Sequence, residues 1–485
     1  PAWLVEVIRR AMARDKEQRI SSCDDFLKLL EDGENGRLIG AMEIPSEPEE
    51  IASDSVAELE HLQTEISASP VSSDYRKGKT SSPMKPVMVI VAIMAAVFVL
   101  VMVVKKGSLQ DSNAPVASGN DPLLFEKRFG TSGADYAWSI AALSSGGYLV
   151  GGYTDPAGSG NCNILAYKLD EEGEIVWDRN YTSQADQSCF SVQEVSDGYL
   201  LIAFSTPAGE TAGDITVKKI NPSGNVRWTR NFGDSANEWG FVSSVLCSNG
   251  SLAIVCGNTM DMEEESNVMV INIDPDDGDQ NWRREIYLPG IQVPYSVCAG
   301  PSNSLLILGR TREAGDENGD AFLMKVDSNG SMDWSRTYGG SVDEWGRCVQ
   351  PASDGGYILA IYTSSYGSGG DAWLVKVNSS GRVDWSRNYG GSGKDWPYAV
   401  VADDNGYSVA GRTESYGSGG HDAWLFRTDL DGVVEWSQQY GGTGDDKAYA
   451  LAETEFGYVL AGMSNTGSSN EQFYVVTTDR EGNTD

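Results

Sequence analysis

The chain has 485 residues, of which 36 are Lys or Arg and 70 are Asp or Glu, so its formal net charge is −34. An anionic surface repels phosphate backbones, which excludes nucleic acid as a natural partner. The length allows about two to four domains, and 13 Trp with 40% hydrophobic residues suffice for sizeable cores. The chain begins with Pro1 and lacks a basic and apolar leader pattern, so we expect it to be a fragment of a longer protein.

The N-terminal residues predict two short helices. Residues 2–14 place Trp3, Leu4 and Ile8 on one helical face, with arginines on the opposite face. A second helix is expected to begin near Ser22, whose hydroxyl can cap the free amides of the first turn. Two helices of this size cannot form a domain alone.

This run resembles the last two helices of the C-terminal lobe of serine/threonine protein kinases. In that family a proline-led helix leads to an acidic turn, an arginine and a Ser-started final helix; Lys16 stands where the family usually has proline. The resemblance covers residues 1–32 and implies a kinase domain, with ATP and Mg²⁺ as cofactors of its missing part. The chain carries no Gly-rich loop, His-Arg-Asp or Asp-Phe-Gly motif, so no catalytic residue or cofactor is predicted within it. An unrelated helical hairpin is the alternative. The residues that fit the family's order are Pro1, Trp3, Leu4, Ile8, Asp15, Arg19, Ser22, Phe26 and Leu30.

Residues 33–85 predict a disordered juxtamembrane linker. Residues 31–66 hold eleven acidic side chains and one basic one, Arg37, without a sustained apolar period. The segment from Ser67 to Lys85 then becomes rich in Ser, Pro and Lys. We assign no site to this linker.

A transmembrane helix is predicted over residues 86–104, nineteen residues without a charge. At about 1.5 Å per residue this segment spans roughly 28 Å, which fits one bilayer crossing, and a buried core helix is the alternative. More basic residues precede the span than follow it, which predicts a cytoplasmic N-terminal side. The chain is then a single-pass protein of the cell membrane, with a second linker at 105–121 and an extracytoplasmic domain at 122–485.

The acidity and most cysteines lie beyond the predicted span. Residues 107–485 carry 23 basic and 53 acidic groups, a net charge of −30. Disulfides can persist in an outer compartment, but Cys247, Cys256 and Cys298 stand in apolar strand-like runs that also suit buried thiols, so the pairing stays open. The six outer cysteines are Cys162, Cys189, Cys247, Cys256, Cys298 and Cys348.

Seven repeat units follow residue 122, each with a large aromatic residue at intervals of 51 to 54 residues. Each unit contains four strand candidates separated by turn signals. Radial repetition of such units predicts an all-β fold, a seven-bladed β-propeller, whereas a solenoid needs shorter units and two sandwiches would not keep the period. The recurring D-x-x-G-x-x-x-W segment predicts a turn and an indole that docks against the adjacent blade. The aromatic residues are Phe125, Trp177, Trp228, Trp282, Trp334, Trp385 and Trp436.

This repeat is similar to the repeats of bacterial secreted propellers, and its turn-plus-Trp segment is similar to the docking motif of quinoprotein-like propellers. The resemblance covers residues 123–485 and implies the architecture without a function. A quinoprotein enzyme would need a metal-assisted cofactor site, which nothing in the sequence identifies. His421, the one histidine of the outer domain, stands in a Gly/Ser loop, which favours an exposed loop residue over a catalytic triad.

The two ends of the repeat are expected to pair. The last unit lacks its fourth strand, whereas Leu123–Phe129 supplies a spare strand at the other end. Pairing them would complete the ring and cover two exposed sheet edges.

A ring of carboxylates is the candidate ligand site. Loops before the first and third strands of each unit are the longer ones, and an acidic residue begins the first strand in six units, with Gln292 as the exception. First strands line the channel of a propeller, so these groups should converge at its mouth and bind a cation such as calcium, or a basic protein or peptide ligand. The alternative is that each carboxylate accepts hydrogen bonds from turn amides. The candidates are Asp135, Asp186, Glu238, Glu344, Asp395 and Asp446.

Two functions remain open. The first is the C-terminal portion of a single-pass membrane serine/threonine kinase with an extracytoplasmic propeller as its sensor, in which ligand binding changes the proximity of two kinases in a dimer. The second is a non-enzymatic, membrane-anchored propeller for protein binding or envelope scaffolding. In both, residues 86–104 contact membrane lipid.

Overall fold

The structure is a computed structural model. The predicted helices at 1–32, both linkers and the span at 86–104 lie outside the residues that it describes. Within the described residues, no helix is long and apolar enough to cross a membrane. The structure describes residues 124–485 apart from 157–160, 209, 211–212, 234–236, 262–264, 314, 468–469 and 485.

The described part of the chain is an all-β fold of 28 strands, so the all-β prediction for the outer domain is confirmed. Strands that follow one another pair antiparallel into four-stranded groups, and each repeat unit supplies one group. Unit 1 consists of β2 (Ala134–Ala142), β3 (Tyr148–Asp155), β4 (Asn163–Leu169) and β5 (Ile175–Tyr181). Unit 2 consists of β6 (Asp186–Val195), β7 (Gly198–Thr206), β8 (Asp214–Ile220) and β9 (Val226–Phe232).

Units 3 and 4 are joined by one parallel bridge between Ser266 and Ile291, and a short 3-10 turn at Pro301–Asn303 precedes β15. Unit 3 consists of β10 (Asn237–Leu246), β11 (Leu252–Asp261), β12 (Glu265–Ile273) and β13 (Gln280–Ile286). Unit 4 consists of β14 (Ile291–Ala299), β15 (Leu305–Arg312), β16 (Asp320–Val326) and β17 (Met332–Tyr338).

The remaining units follow the same order. Unit 5 consists of β18 (Glu344–Pro351), β19 (Tyr357–Thr363), β20 (Asp371–Val377) and β21 (Val383–Tyr389). Unit 6 consists of β22 (Asp395–Ala402), β23 (Gly406–Thr413), β24 (Asp422–Asp429) and β25 (Val434–Tyr440). Unit 7 consists of β26 (Asp446–Glu453), β27 (Gly457–Ser464), β28 (Gln472–Asp479) and β1 (Glu126–Phe129).

Strand β1 is the fourth strand of the last unit. It pairs antiparallel with β28, from Glu126 opposite Val476 to Phe129 opposite Phe473. The pairing that the sequence predicts for Leu123–Phe129 is therefore present between these strands.

The turn between the third and fourth strands explains the D-x-x-G signature. In unit 6 the Asp429 carboxylate accepts the Val433 amide at 2.8 Å, and the Gly432 amide donates to the Asp429 carbonyl at 3.1 Å. Gly432 has φ +76°, a backbone conformation that residues with a Cβ rarely adopt. Asn can take the place of Asp in this turn, since Asn378 Oδ1 accepts the Arg382 amide at 3.2 Å in unit 5, so the turn needs Asp or Asn followed by Gly.

The aromatic residue after this turn docks on the next unit, as the sequence predicts. Trp385 Nε1 donates to the Leu430 carbonyl at 3.1 Å, and the hydroxyl of Tyr389 donates to the Gly432 carbonyl at 2.7 Å. Trp177 makes the equivalent bond to the Pro222 carbonyl at 2.9 Å. Fourth strands therefore tie each unit to the turn of the following one.

Apolar cores fill the space between neighbouring units. One cluster joins Leu149 and Ile164 of unit 1 to Val192 and Leu201 of unit 2, all fully or almost fully buried. Burying one such side chain is worth about 1.5–3 kcal/mol, so the interfaces between units hold the domain together. The first strands also contact one another in order around the centre, and β2 contacts both β6 and β26.

Candidate functional site

Four of the predicted carboxylates are fully buried at the beginning of first strands, and the best-defined is Asp395. Its carboxylate accepts hydrogen bonds from the Gly391 amide at 2.9 Å, the Thr413 hydroxyl at 2.5 Å and the Ser415 hydroxyl at 2.7 Å. Gly391 lies in the loop before β22, Thr413 ends β23 and Ser415 lies in the loop after it, so the carboxylate holds these two loops together. The four buried residues are Asp135, Glu344, Asp395 and Asp446.

The predicted alignment is off by one residue in unit 2. Asp135 pairs with Thr154 across the first two strands of unit 1, and the residue in the same register of unit 2 is Gln187, which pairs with Ser205. Gln187 Nε2 donates to Ser205 Oγ at 3.0 Å. An amide therefore replaces the carboxylate there, and Asp186 lies one position earlier.

The other predicted positions differ from the buried four. The partly buried Asp186 carboxylate accepts the Cys162 amide at 2.9 Å. Gln292 is buried as the predicted exception, and its Nε2 donates to a loop carbonyl at 2.8 Å. The backbone of Glu238 lies in β10, and its side chain is outside the described residues.

Some buried carboxylates face another carboxylate of the preceding unit across a glycine. A Cβ added to Gly390 would lie 2.5 Å from both Asp371 Oδ1 and Asp395 Oδ2. Burial raises the pKa of Asp371, and the nearby Asp395 raises it further. The glycine is required because these two side chains occupy the space a Cβ would need.

These contacts favour the turn-capping alternative over an open carboxylate ring. The hydrogen bonds of Asp395 and Glu344 end on loop amides and hydroxyls of their own unit. Among the residues that the structure describes, no group of three or more His, Cys, Asp or Glu side chains is arranged to hold a metal ion. Ligand binding by the ring stays a prediction.

His421 links two acidic loops, and it is not the simple exposed residue that the sequence predicts. Its Nδ1 lies 2.7 Å from Asp445 Oδ1 and its Nε2 lies 3.0 Å from Glu414 Oε1, with 22% of the side chain exposed. The hydrogen bond from His421 lowers the pKa of the Asp445 carboxyl. Its ring therefore joins the loops of units 6 and 7.

We expect His421→Ala to lower the stability of the domain by no more than about 1 kcal/mol near pH 7, since the Asp445 side chain is solvent-screened. The folded-state pKa of Asp445 is depressed, so this contribution is present above its unfolded value of about 4 and is lost as the pH falls through the folded value. Melting temperatures of parent and variant between pH 2 and 7 should therefore converge at the acid end. In an Asp445→Asn background the same substitution should have a smaller effect, and an undiminished effect would contradict the pairing.

A collar of large side chains lies where the first strands meet, and each unit supplies one member. Trp138 stacks on Tyr449 of unit 7 at a ring-centroid distance of 4.3 Å, and it lies 5.7 Å from Phe190 of unit 2. Phe241 and Tyr295 continue the collar, 5.3 Å apart. The members are Trp138, Phe190, Phe241, Tyr295, Arg347, Tyr398 and Tyr449.

A β-bulge places these side chains in the collar. In unit 1 the register shifts between Ala137 and Ser139, which leaves Trp138 unpaired in the ladder. In unit 5 it shifts between Gly346 and Cys348, which leaves Arg347 unpaired. A bulge re-aims one side chain out of the strand alternation, and here it turns that side chain towards the neighbouring first strands.

Arg347 is the one cation among the seven collar members. Its guanidinium carbon lies 4.7 Å from the ring centroid of Tyr295, 5.1 Å from Trp396 and 5.4 Å from Tyr398. Burial lowers the pKa of Arg347, while the surrounding tyrosines oppose this effect. The guanidinium is therefore held by aromatic faces in a site that water reaches poorly.

A cavity of about 100 Å³ opens on this collar. The seven members of the collar line it, together with Val242 and Ser243 of unit 3. A space of this size holds several water molecules or one small molecule. It brings aromatic rings together with tyrosine and serine hydroxyls and one charged group, which are polar groups that can orient a bound molecule.

A second arginine lies near Arg347. Arg412 stacks on Trp396 at 5.6 Å, the same ring that lies 5.1 Å from the guanidinium of Arg347. Burial is the main cause that lowers the pKa of Arg347, and the charge of Arg412 lowers it further.

The collar was not predicted from the sequence, although the sequence carries a signal for it. In four units the collar residue follows the buried carboxylate by three positions, as in DYAW, EWGR, DWPY and DKAY. Side chains alternate between the two faces of a strand. A residue three positions after the carboxylate is therefore predicted to face away from the carboxylate side. Only the bulge, which the alternation does not reveal, brings the side chain into the centre.

Comparisons with known proteins show no family. No family model matches the chain, and no curated protein matches it. Among solved structures, a protein of unknown function from Dyadobacter fermentans is 10% identical over 64% of this chain and 97% of its own, with a TM-score of 0.42. A polysaccharide lyase is 7% identical over 76% and 94%, with a TM-score of 0.47. A putative 6-phosphogluconolactonase from Bacteroides fragilis is 12% identical over 65% and 86%, with a TM-score of 0.44. At these TM-scores the likenesses carry no argument about function.

Proposed function

We propose that residues 122–485 form a closed seven-bladed β-propeller that acts as the extracytoplasmic binding domain of a membrane-anchored serine/threonine kinase. Closure is supported by the pairing of β1 with β28 and by the contacts of β2 with β26. Four strands per repeat unit support the count of blades. The ends of the chain then meet in one blade, which removes two free sheet edges.

The collar is the observation that carries the binding role. Its members come from all the units, and it encloses a cavity of about 100 Å³ with Arg347 on its wall. A residue that only fills a core needs no cavity, and the partly buried guanidinium of Arg347 has an Nε atom without a hydrogen-bond partner among the described residues. A bound ligand would supply that compensation.

The kinase part of the proposal depends on the order of sequence features. The kinase-like run at 1–32, the linker at 33–85, the span at 86–104 and the binding domain follow one another on one chain. Because one helix transmits a conformational shift poorly, we propose that ligand binding changes the distance between two kinases in a dimer. Phosphorylation then depends on occupancy of the outer domain.

The reading frame upstream of Pro1 provides the first test. Gly-rich, His-Arg-Asp and Asp-Phe-Gly motifs are expected there in frame, and their absence would refute the kinase role. The second test compares autophosphorylation in membranes for the whole protein and for a form that ends at residue 121. Equal activity at all protein densities would refute regulation by the outer domain.

A row of exposed apolar side chains favours a second candidate function, a membrane-anchored scaffold that binds proteins. The residue two positions before the docking aromatic residue is 42–51% exposed in five units, on the fourth strands. Capture of a partner by the full chain that is lost when these residues become Ser, together with absent kinase motifs, would favour the scaffold. The five residues are Ile175, Val226, Met332, Val383 and Val434.

A further inference from the structure

Four buried hydrogen-bond donors around the collar have no partner within the described part of the chain. They are side-chain nitrogens that water does not reach, whereas buried polar groups in proteins are normally hydrogen-bonded. Donors without acceptors in one region indicate a missing acceptor. The four atoms are Arg347 Nε, Arg412 Nε, Trp138 Nε1 and Trp396 Nε1.

The buried cations of this domain are paired, whereas Arg347 and Arg412 are partly buried and their Nε atoms have no partner among the described residues. Lys219, with 2% of its side chain exposed, lies 2.8 Å from Asp197 Oδ1. Lys376 lies 2.6 Å from Asp354. The same holds for the partly buried Arg427, which lies 2.9 Å from the Asp403 carboxylate.

Arg347 and Arg412, in contrast, make no hydrogen bond or ion pair to any residue that the structure describes. Their neighbours are aromatic rings, which attract a cation without satisfying its N–H groups. Residues 107–485 carry 53 acidic groups, so carboxylates that could pair with the two arginines are plentiful in this part of the sequence. The Nε atoms of the two arginines nevertheless lack an acceptor among the residues that the structure describes.

We propose that the collar cavity binds a small monocarboxylate with a flat apolar body, whose carboxylate accepts hydrogen bonds from Arg347. This rests on the proposed binding function and names its ligand class. A guanidinium fork matches the two oxygens of a carboxylate. The faces of Trp138, Phe241 and Tyr398 cover the apolar part, since aromatic rings stack favourably on flat groups.

The surroundings disfavour a phosphate group in the same place. Phosphate carries more charge and more oxygens than one guanidinium can satisfy. The acidic exterior of the domain also repels a multiply charged anion more strongly than a singly charged one. One charge and one flat apolar surface are what the cavity complements.

Calorimetric titration of the full chain in detergent micelles tests this inference, with empty micelles as the blank. The probes are benzoate, acetate and inorganic phosphate. We expect saturable binding of benzoate at millimolar concentrations or below, and acetate about tenfold weaker because it lacks the ring. Absence of saturable benzoate binding, or tighter binding of phosphate than of benzoate, would overturn the inference.

Variants locate the site. Arg347→Gln should weaken benzoate binding by about tenfold or more, and Arg347→Lys should weaken it less, because the charge remains while the planar fork is lost. The matched control is Arg230→Gln, which removes a guanidinium stacked on Trp228 at 5.7 Å on an outer strand. Unchanged affinity in Arg347→Gln, or an equal loss in the control, would contradict the assignment.

Near-ultraviolet circular dichroism shows whether each variant keeps the aromatic packing of the parent. If Arg347→Gln does not, Arg347→Lys, which keeps the charge, takes its place, and an unchanged benzoate affinity then counts against the site. These outcomes are separate from the kinase proposal, which the upstream reading frame decides. A domain that binds no carboxylate could still regulate a kinase through a protein ligand.

Discussion

Removal of residues 121–130 should unfold the whole outer domain under conditions in which the parent is stable. The deletion takes away β1, whose backbone pairs with β28 over four residues. It also removes Phe125, which is 8% exposed, and Phe129, whose ring lies 4.6 Å from that of Tyr167 in unit 1. Losing one buried Phe typically costs about 3–5 kcal/mol, and the loss of the partly buried Phe129 and of the strand pairing adds to this, so the total approaches the 5–15 kcal/mol that stabilises a whole domain.

Thermal unfolding of the full chain, followed by circular dichroism, measures this effect. The loss should be cooperative because the Phe125–Phe129 segment joins units 7 and 1 in a shared core. Removal of ten residues from the predicted linker at 105–121 is the matched control, with little expected change. A melting profile that the removal of β1 leaves unchanged would refute closure by this strand.

The repeat period predicted most of the fold because one local interaction recurs in every unit. An Asp/Gly turn followed by a large aromatic residue docks each unit on the next, and Trp385 on the Leu430 carbonyl shows how. Such a contact repeats in the sequence at a fixed interval, so the sequence alone reveals it. The pairing of β1 with β28 could be predicted for the same reason, since Phe125 has the place of a docking residue.

The candidate site could be predicted only in part. The repeat predicts carboxylates at the beginning of first strands, but in unit 2 it points to Asp186, whereas Gln187 has the register of Asp135. The register depends on the partner strand, where Ser205 pairs with Gln187. The collar was missed because a bulge at Arg347 changes which way a side chain faces, and no residue type marks that bulge.

Asp395→Ala should destabilise the domain more than any other single carboxylate substitution at the loops. Asp395 is fully buried, and its removal leaves the Gly391 amide and the hydroxyls of Thr413 and Ser415 without their acceptor. Breaking a buried network around a charge costs roughly 3–5 kcal/mol. The neighbouring Asp404, exposed in the turn between β22 and β23, is the matched control, and Asp404→Ala should stay within about 0.5 kcal/mol of the parent.

The same experiment separates turn capping from cation binding. A turn cap stabilises through bonds inside the chain, so calcium or a cationic peptide should leave the melting temperature of the parent unchanged. A bound cation would raise that temperature with its concentration, because it binds the folded state alone. The double variant Asp395→Asn and Asp446→Asn removes two charges at little change in volume. A calcium-dependent rise in the parent that this variant loses would restore the carboxylate ring as a ligand site, whereas lower stability without any calcium effect assigns these residues to the loops that they close.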